Sequence, residues 1–288
     1  MNSITFNIGG VPEHFNLPIH LAMERGEFQA AGIKLSWIDF DGGTGQMNHA
    51  LREGKADICI LLTEGIMADI LKGNPSRIIS GYVNSPLTWG IHTSVDSEME
   101  ATADQFNKKI AISRYGSGSH LMPIVNAMIQ EKQINQDRFV VVNNLDGGIK
   151  SLQSRESSIF YWEKYTTKPY VKRGYLKRIG EFNSPWPCFM IAARNEIISK
   201  FPKELNTLLK IIQASCISFM ENEDSPVLVA ERYNLELKSA KYWFHATEWA
   251  TNSWVSNKTL KNVVFALKEA GILSSEAGTS DLVWKRES

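Results

Sequence analysis

The sequence carries no surplus of either charge sign: Lys+Arg and Asp+Glu are 31 each in 288 residues, so the formal net charge is +0. That balance excludes bulk electrostatic capture of nucleic acid or of an anionic membrane. No apolar run approaches the ~20 residues a membrane helix needs, which excludes membrane insertion. Cysteine is scarce. Cys59, Cys188 and Cys216 are three, far apart, each in an apolar run, which fits buried thiols rather than disulfides or a zinc site. Three catalytic or nucleotide signatures are also missing. Gly116-Ser117-Gly118 is not followed by the Lys-Ser/Thr of a phosphate loop, Leu121 stands where a dinucleotide fingerprint needs its third glycine, and no Gly-x-Ser-x-Gly elbow surrounds Ser113, Ser117 or Ser119. Met1 to Ile8 lacks the basic flank and apolar core of a signal peptide. As written the chain is expected to be cytoplasmic; it would be periplasmic if a leader has been removed ahead of this Met.

What the sequence does have is a repeated strand–loop–helix rhythm, most legible at residues 109–122. Ile110 and Ile112 alternate as a strand, Gly116-Ser117-Gly118-Ser119 makes a small-residue turn, and Leu121, Val125, Met128 and Ile129 recur at helical spacing. Such a turn aims free backbone N–H groups and a helix dipole at one point, suited to an anion or a polar oxygen. A plain αβ connection with a serine cap would look the same.

The rhythm begins at Ile4, Phe6 and Ile8, a first strand, followed by a loop and a helix over Leu17 to Glu24. Leu35 to Phe40 reads as a strand, Asp41 to Gly45 as a glycine loop, and Asp57 to Leu62 as a strand covered on both faces. Thr63-Glu64-Gly65 reads as the next loop and Arg77 to Val83 as a further strand. Asp96 to Asn107 is polar and aperiodic, a crossing between lobes. After it the pattern restarts with Lys109 to Ser113, Phe139 to Asn144, the loop Leu145 to Gly148, Ser158 to Glu163 and Tyr175 to Phe182. Asn183 to Pro187 is a hinge candidate and Cys188 to Ala193 a returning strand. Apolar stripes at Leu205–Phe219 and Leu260–Leu267 are helical. The aromatic stretch Lys241 to Trp254 reads as a helix packed on the first sheet. Strands alternating with helices predict parallel sheets, with ligands beyond the carboxyl ends of the strands.

This order, together with Val11-Pro12-Glu13-His14-Phe15, Gly42-Gly43-Thr44, Ser113 to His120, and Trp162-Glu163 with Thr166-Thr167-Lys168-Pro169, resembles the type II periplasmic-binding-protein family. Within it the chain is similar to the branch of nitrate/sulfonate/taurine-type receptors and thiamine-pyrimidine-precursor proteins, which includes a cytosolic fungal group. The resemblance implies an α/β, two-lobed fold, each lobe a mostly parallel sheet flanked by helices, with a ligand cleft between lobes that close about a hinge. The expected boundaries are 1–92 and 185–288 for lobe 1, with 93–184 as lobe 2. It further implies ligand-binding roles for Glu13, His14, Phe15, Gly43, Thr44, Thr63, Glu64, Arg114, Tyr115, Gly116, Ser117, Gly118, Ser119, His120, Asn144, Trp162, Glu163 and Trp186. The pyrimidine-forming enzyme of this fold handles iron with a cysteine cluster, and this sequence has no such cluster.

Each candidate has a functional and a bland reading. Glu13 and Glu64 would pair with ligand N–H groups or sit as loop acids, and Arg114 could clamp an oxyanion or bridge one of those acids. His14 and His120 lack a nearby third ligand for a metal. Phe15, Tyr115, Trp162 and Trp186 could sandwich a flat ring or merely pack. The expectation is a solute-binding protein that closes on a polar, ring-containing metabolite, such as a thiamine-precursor pyrimidine or a sulfonate- or carboxylate-bearing compound. It uses no cofactor, metal or catalytic residue, and its partner beyond the ligand would be a transporter permease if the chain is exported. The alternative is a thiamine pyrimidine-precursor enzyme on the same fold.

Overall fold

Alternating apolar residues at Ile4, Phe6 and Ile8 extend the chain into β1 (Ile4–Gly10), whose Phe6 and Ile8 are fully buried. The computed structural model describes residues 4–285. The chain divides into two compact units. Among the described residues, unit 1 comprises 4–85, 186–264 and 277–285, and unit 2 comprises 86–185 and 265–276.

In unit 1, β1 is followed by a 3₁₀ turn (His14–Asn16), α1 (Leu17–Glu24), α2 (Glu27–Ala30), β2 (Ile33–Asp39), α3 (Gly43–Glu53), β3 (Ile58–Leu62), α4 (Thr63–Leu71) and β4 (Ser76–Val83). Unit 2 adds β5 (Thr88–Thr93), β6 (Ile110–Ile112), α5 (Gly118–Ile129), β7 (Phe139–Val141), α6 (Leu145–Gln153), β8 (Ile159–Glu163), α7 (Lys164–Lys172) and β9 (Lys177–Asn183). The chain then returns to unit 1 with β10 (Phe189–Arg194), α8 (Asn195–Lys200), α9 (Pro202–Glu221), α10 (Ser225–Arg232) and α11 (Leu237–His245), and ends with α12 (Asn257–Glu269).

The sheets run β2-β1-β3-β10-β4 and β7-β6-β8-β5-β9. Each is mostly parallel as expected, four of its five strands running one way and one running against them. Three strands pair in parallel (β2, β1, β3 and β7, β6, β8), and a strand from the other end of the sequence (β10 or β5) inserts antiparallel on both sides. β5 has no counterpart in the sequence reading. Its pairing with β8 and β9 moves the change of unit to residues 85/86, ahead of the expected 92/93.

Three expected loops are helix in whole or in part, the first being Asp41 to Gly45, whose last three residues open α3. Thr63-Glu64-Gly65 is the first turn of α4 and Leu145 to Gly148 that of α6, so glycines read as loop punctuation sit inside helical turns. Lys164–Lys172 is likewise helical, with Pro169 inside it. The unit 1 core includes β3, where Ile58 to Leu61 are buried, and α9, whose Leu205, Leu208, Leu209, Ile212, Cys216 and Phe219 point inward as their spacing predicts. In unit 2 the clustered side chains are Ala111, Val142, Ile149, Leu152, Phe160 and Leu176. Each large apolar side chain buried this way contributes about 1.5–3 kcal/mol.

Candidate functional site

The carboxyl ends of β1 and β2 lead through three residues into helical turns and that of β3 leads directly into one, so the unit 1 candidates gather at one edge of its sheet. The β1 corner is held by aromatic packing. Phe15 is buried against Phe189 (centroids 5.0 Å apart) and Trp243 (5.1 Å), and its carbonyl accepts from Tyr82 Oη at 2.8 Å and Trp249 Nε1 at 2.9 Å. His14 lies edge-on to Trp243 at 4.1 Å, and burial lowers its pKa to about 3, so it is neutral. Both side chains are thus parts of the core. Glu13 is half-buried and lines a narrow cleft.

At the β2 corner Gly43 opens α3 with φ 64°. Thr44 Oγ1 accepts from Leu62 N at 3.1 Å, tying α3 to the end of β3. There the strand turns into α4 within one residue. Thr63 is fully buried, with Oγ1 donating to the Pro187 carbonyl at 2.5 Å. Glu64 is 2% exposed, and its Oε2 accepts from Trp186 Nε1 at 2.9 Å while Oε1 has no hydrogen-bond partner among the described residues. Burial raises its pKa to about 7, its own backbone N–H and then the Trp186 hydrogen bond working in the opposite sense. Trp186 is therefore the support of a buried carboxyl, itself 4% exposed.

Unit 2 builds the equivalent corners from hydroxyls. Ser117 stands at the N-cap position of α5 without a side-chain capping bond, its N and Oγ both donating to the Arg114 carbonyl at 3.2 and 2.7 Å. Ser119 Oγ accepts from Ser113 N at 2.9 Å and contacts Ser113 Oγ (3.2 Å) and Ser117 Oγ (3.0 Å). These bonds spend much of the loop's polar capacity internally. Gly116, not Gly118, takes the left-handed conformation (φ 79°), and its N–H donates to His120 Nδ1 at 3.1 Å. Burial lowers the His120 pKa to about 4. Tyr115 is exposed, edge-on to His120 at 5.2 Å. Arg114 is half-buried, makes no ion pair among the described residues, and has its pKa lowered by desolvation.

At the β7 corner Asn144 caps α6, its Oδ1 accepting from Gly147 N at 2.9 Å. At the end of β8, Trp162 packs on Phe160 (5.1 Å). Glu163 caps α7, with Oε2 accepting from Thr166 N (2.6 Å) and Thr166 Oγ1 (2.8 Å). Its Oε1 has no hydrogen-bond partner among the described residues, and burial raises its pKa despite the capping bonds.

Sequence reasoning missed two residues here. Trp89 stands directly opposite Glu163 across the β5–β8 pair, and its buried indole N–H also lacks a partner among the described residues. Only the pairing of a strand that carries no periodic signal reveals it. Asn16 turns its Nδ2 to the Val11 carbonyl at 2.7 Å and leaves Oδ1 buried without a partner among the described residues. In the sequence Asn16 is only the last residue of a loop ahead of a helix, with nothing in its spacing to single it out; its side chain makes no capping bond. Among the described residues no three His, Cys, Asp or Glu side chains are grouped to hold a metal ion, and no helix is long and apolar enough to cross a membrane.

The two mixed sheets with helices on their faces define a class, the two-lobed type II periplasmic-binding-protein fold, and comparison with known proteins supports a type II periplasmic-binding-protein-like family. Residues 89–182 match the family described as Ca3427-like PBP. The CA3427 gene product of Candida albicans superposes with a TM-score of 0.87 at 25% identity, covering 94% of this chain and 92% of that one. The aliphatic sulphonate binding protein SsuA of Escherichia coli does so with 0.75 at 14% identity (98% and 92% covered). The alkanesulfonate-binding SsuA of Xanthomonas axonopodis pv. citri, bound to MOPS, gives 0.79 at 12% identity (99% and 98% covered). No curated protein matches the sequence. The fold supports solute binding in general.

Proposed function

We propose that this protein binds a small, polar, N–H-bearing solute, ring-containing as in a thiamine-precursor pyrimidine or bearing a sulfonate or carboxylate, and releases it unchanged. The observation that carries the reading is a repeated one. At the last strand-to-helix corner of each parallel trio, β3–α4 and β8–α7, a buried carboxyl group keeps one oxygen without a hydrogen-bond partner among the described residues (Glu64 Oε1 and Glu163 Oε1). A buried acceptor left unmade costs about 1–3 kcal/mol, and a ligand N–H recovers it. Arg114 supplies the complementary charge for an acidic oxygen. The sulfonate-binding names of two structural relatives support an acidic group on the solute.

The test combines native mass spectrometry of freshly purified protein, to reveal a co-purified molecule, with calorimetric titration of an aminopyrimidine, an alkylsulfonate, nitrate and sulfate. Binding of the aminopyrimidine or the alkylsulfonate, recovered chemically unchanged and weakened by Glu64→Gln or Glu163→Gln, is the expected result. Tight binding of nitrate or sulfate alone, indifferent to both substitutions, overturns it, as does conversion of the bound molecule.

A further inference from the structure

The narrow cleft at the β1 corner lies wholly within unit 1 and is lined by Val11, Glu13, Phe15, Asn16, Ile60 and Phe189. It leaves about 10 Å³ to the centre of a water-sized sphere, room for one small head group and no more. Its polar character is one-sided. Asn16 is 3% exposed, and the Val11 carbonyl, which can only accept, fixes the orientation of the amide by taking Nδ2 at 2.7 Å. The carbonyl end, Oδ1, is thereby fixed as a buried acceptor with no donor among the described residues. Glu13, an acidic residue, belongs to the same lining. The remainder is apolar, with the Phe15 and Phe189 rings 5.0 Å apart. A buried acceptor oxygen, an acidic residue and aromatic faces around a space of one heavy atom are what an amino or ammonium group requires, and they repel a sulfonate, carboxylate or carbonyl oxygen.

We infer that this cleft is the subsite for a primary amino or ammonium group of the solute, with Asn16 Oδ1 as its hydrogen-bond acceptor. This rests on the solute-binding reading and sharpens it. The solute carries an –NH₂ or –NH₃⁺ that this unit 1 cleft receives, and Asn16 selects for it.

Matched pairs test this: 3-aminopropanesulfonate against propanesulfonate, and 4-aminopyrimidine against pyrimidine, titrated calorimetrically into wild type and Asn16→Leu. In at least one pair the amino member should bind wild type about tenfold or more tighter, the factor one charge-assisted hydrogen bond supplies. Asn16→Leu should reduce that preference to near unity. Because Asn16→Leu also strips a hydrogen bond from Val11, a second readout uses wild type alone. The side-chain amide signals of Asn16, in asparagine-labelled protein, should shift with the amino member and not with its partner. Equal binding of both members, or a preference that survives Asn16→Leu, overturns the inference while leaving solute binding standing. Failure of all four probes also overturns it, and the native mass spectrum then decides the wider reading: a co-purified molecule keeps it, none removes it.

Discussion

Where unit 1 leaves β1, the corner is filled by rings: Phe15, Trp243 and Phe189 pack on one another, with a neutral His14 among them. Where unit 2 leaves the corresponding strand β6, the corner is a chain of hydroxyls, Ser113, Ser119 and Ser117, within 3.2 Å of one another in succession. The strand orders of the two sheets are the same once β10 is matched to β5, so the difference is not topological. Ring packing is insensitive to small rotations and supports a site from behind. A hydroxyl network fixes directions, and it couples each member to the next. The last corners diverge in the same sense. Glu64 is braced by an indole from β10's approach, Glu163 by its own helix's Thr166.

The sharpest break in the comparison is expected at the second corners. An added methyl at Gly147 would stand 1.9 Å from the Val142 carbonyl oxygen, a backbone atom that cannot yield, whereas at Gly43 it meets nothing within 4 Å. Gly147→Ala should therefore cost about 4 kcal/mol or more, the range reached only by strong steric or backbone conflicts. Gly43→Ala should cost about 1 kcal/mol for its left-handed φ. Urea denaturation of the two variants side by side measures both, and equal losses would show that the two corners are built alike.

Next in size is Glu64. Its carboxyl has pKa about 7 when folded against an ordinary 4.5, so the folded state holds the proton more tightly than the unfolded. That stability is present below pH about 4.5 and is lost as pH rises to about 7. The difference of about 2.5 units corresponds to about 3 kcal/mol. Thermal melting from pH 4 to 8 should show this decline in wild type and a flatter profile in Glu64→Gln, which is then the more stable protein at pH 8. An unchanged slope would mean that the carboxyl is solvated.

Smaller effects separate the hydroxyl corner from its caps. Ser119→Ala leaves the buried Ser113 N–H without its acceptor and should cost about 2 kcal/mol in the same urea assay. Asn144→Ala removes one capping bond from the exposed end of α6 and should cost about 1 kcal/mol. If Asn144→Ala proves the costlier of the two, the serine chain is not what holds unit 2's first corner.

Much of this fold is legible in the sequence because apolar periodicity survives wherever one face is buried. Leu17 to Glu24 is read as a helix and observed as one, and the β3, β8 and β10 runs are read within a residue or two. The misreadings share a cause. Glycine and threonine at Gly43-Thr44, Thr63-Glu64-Gly65 and Gly147-Gly148 suggest loops by local chemistry, but tertiary contacts draw them into first helical turns. β5 escapes notice because Thr88-Trp89-Gly90-Ile91-His92-Thr93 has no alternation: both its faces are covered and even His92 is fully buried. At the site, residue type pointed to Glu64 and Glu163, but which oxygen is satisfied depends on Trp186 and Thr166, and no spacing rule encodes those bonds. Asn16 and Trp89 matter only through what they fail to bond.

The insertion of β10 between β3 and β4 also governs how the chain can be made. Strands β1 to β4 leave a ribosome early, yet β3 and β4 share no ladder until Phe189–Arg194 is synthesised to join them. The second sheet spans only residues 88–183, so its last strand follows its first by fewer than a hundred residues and all its partners are available before β10 exists. Vectorial synthesis thus favours a nascent chain whose later sheet closes first, while two apolar edges of the earlier one wait. For that interval β3 and β4 are the segments most open to mispairing with another chain, and they are where a chaperone would be needed.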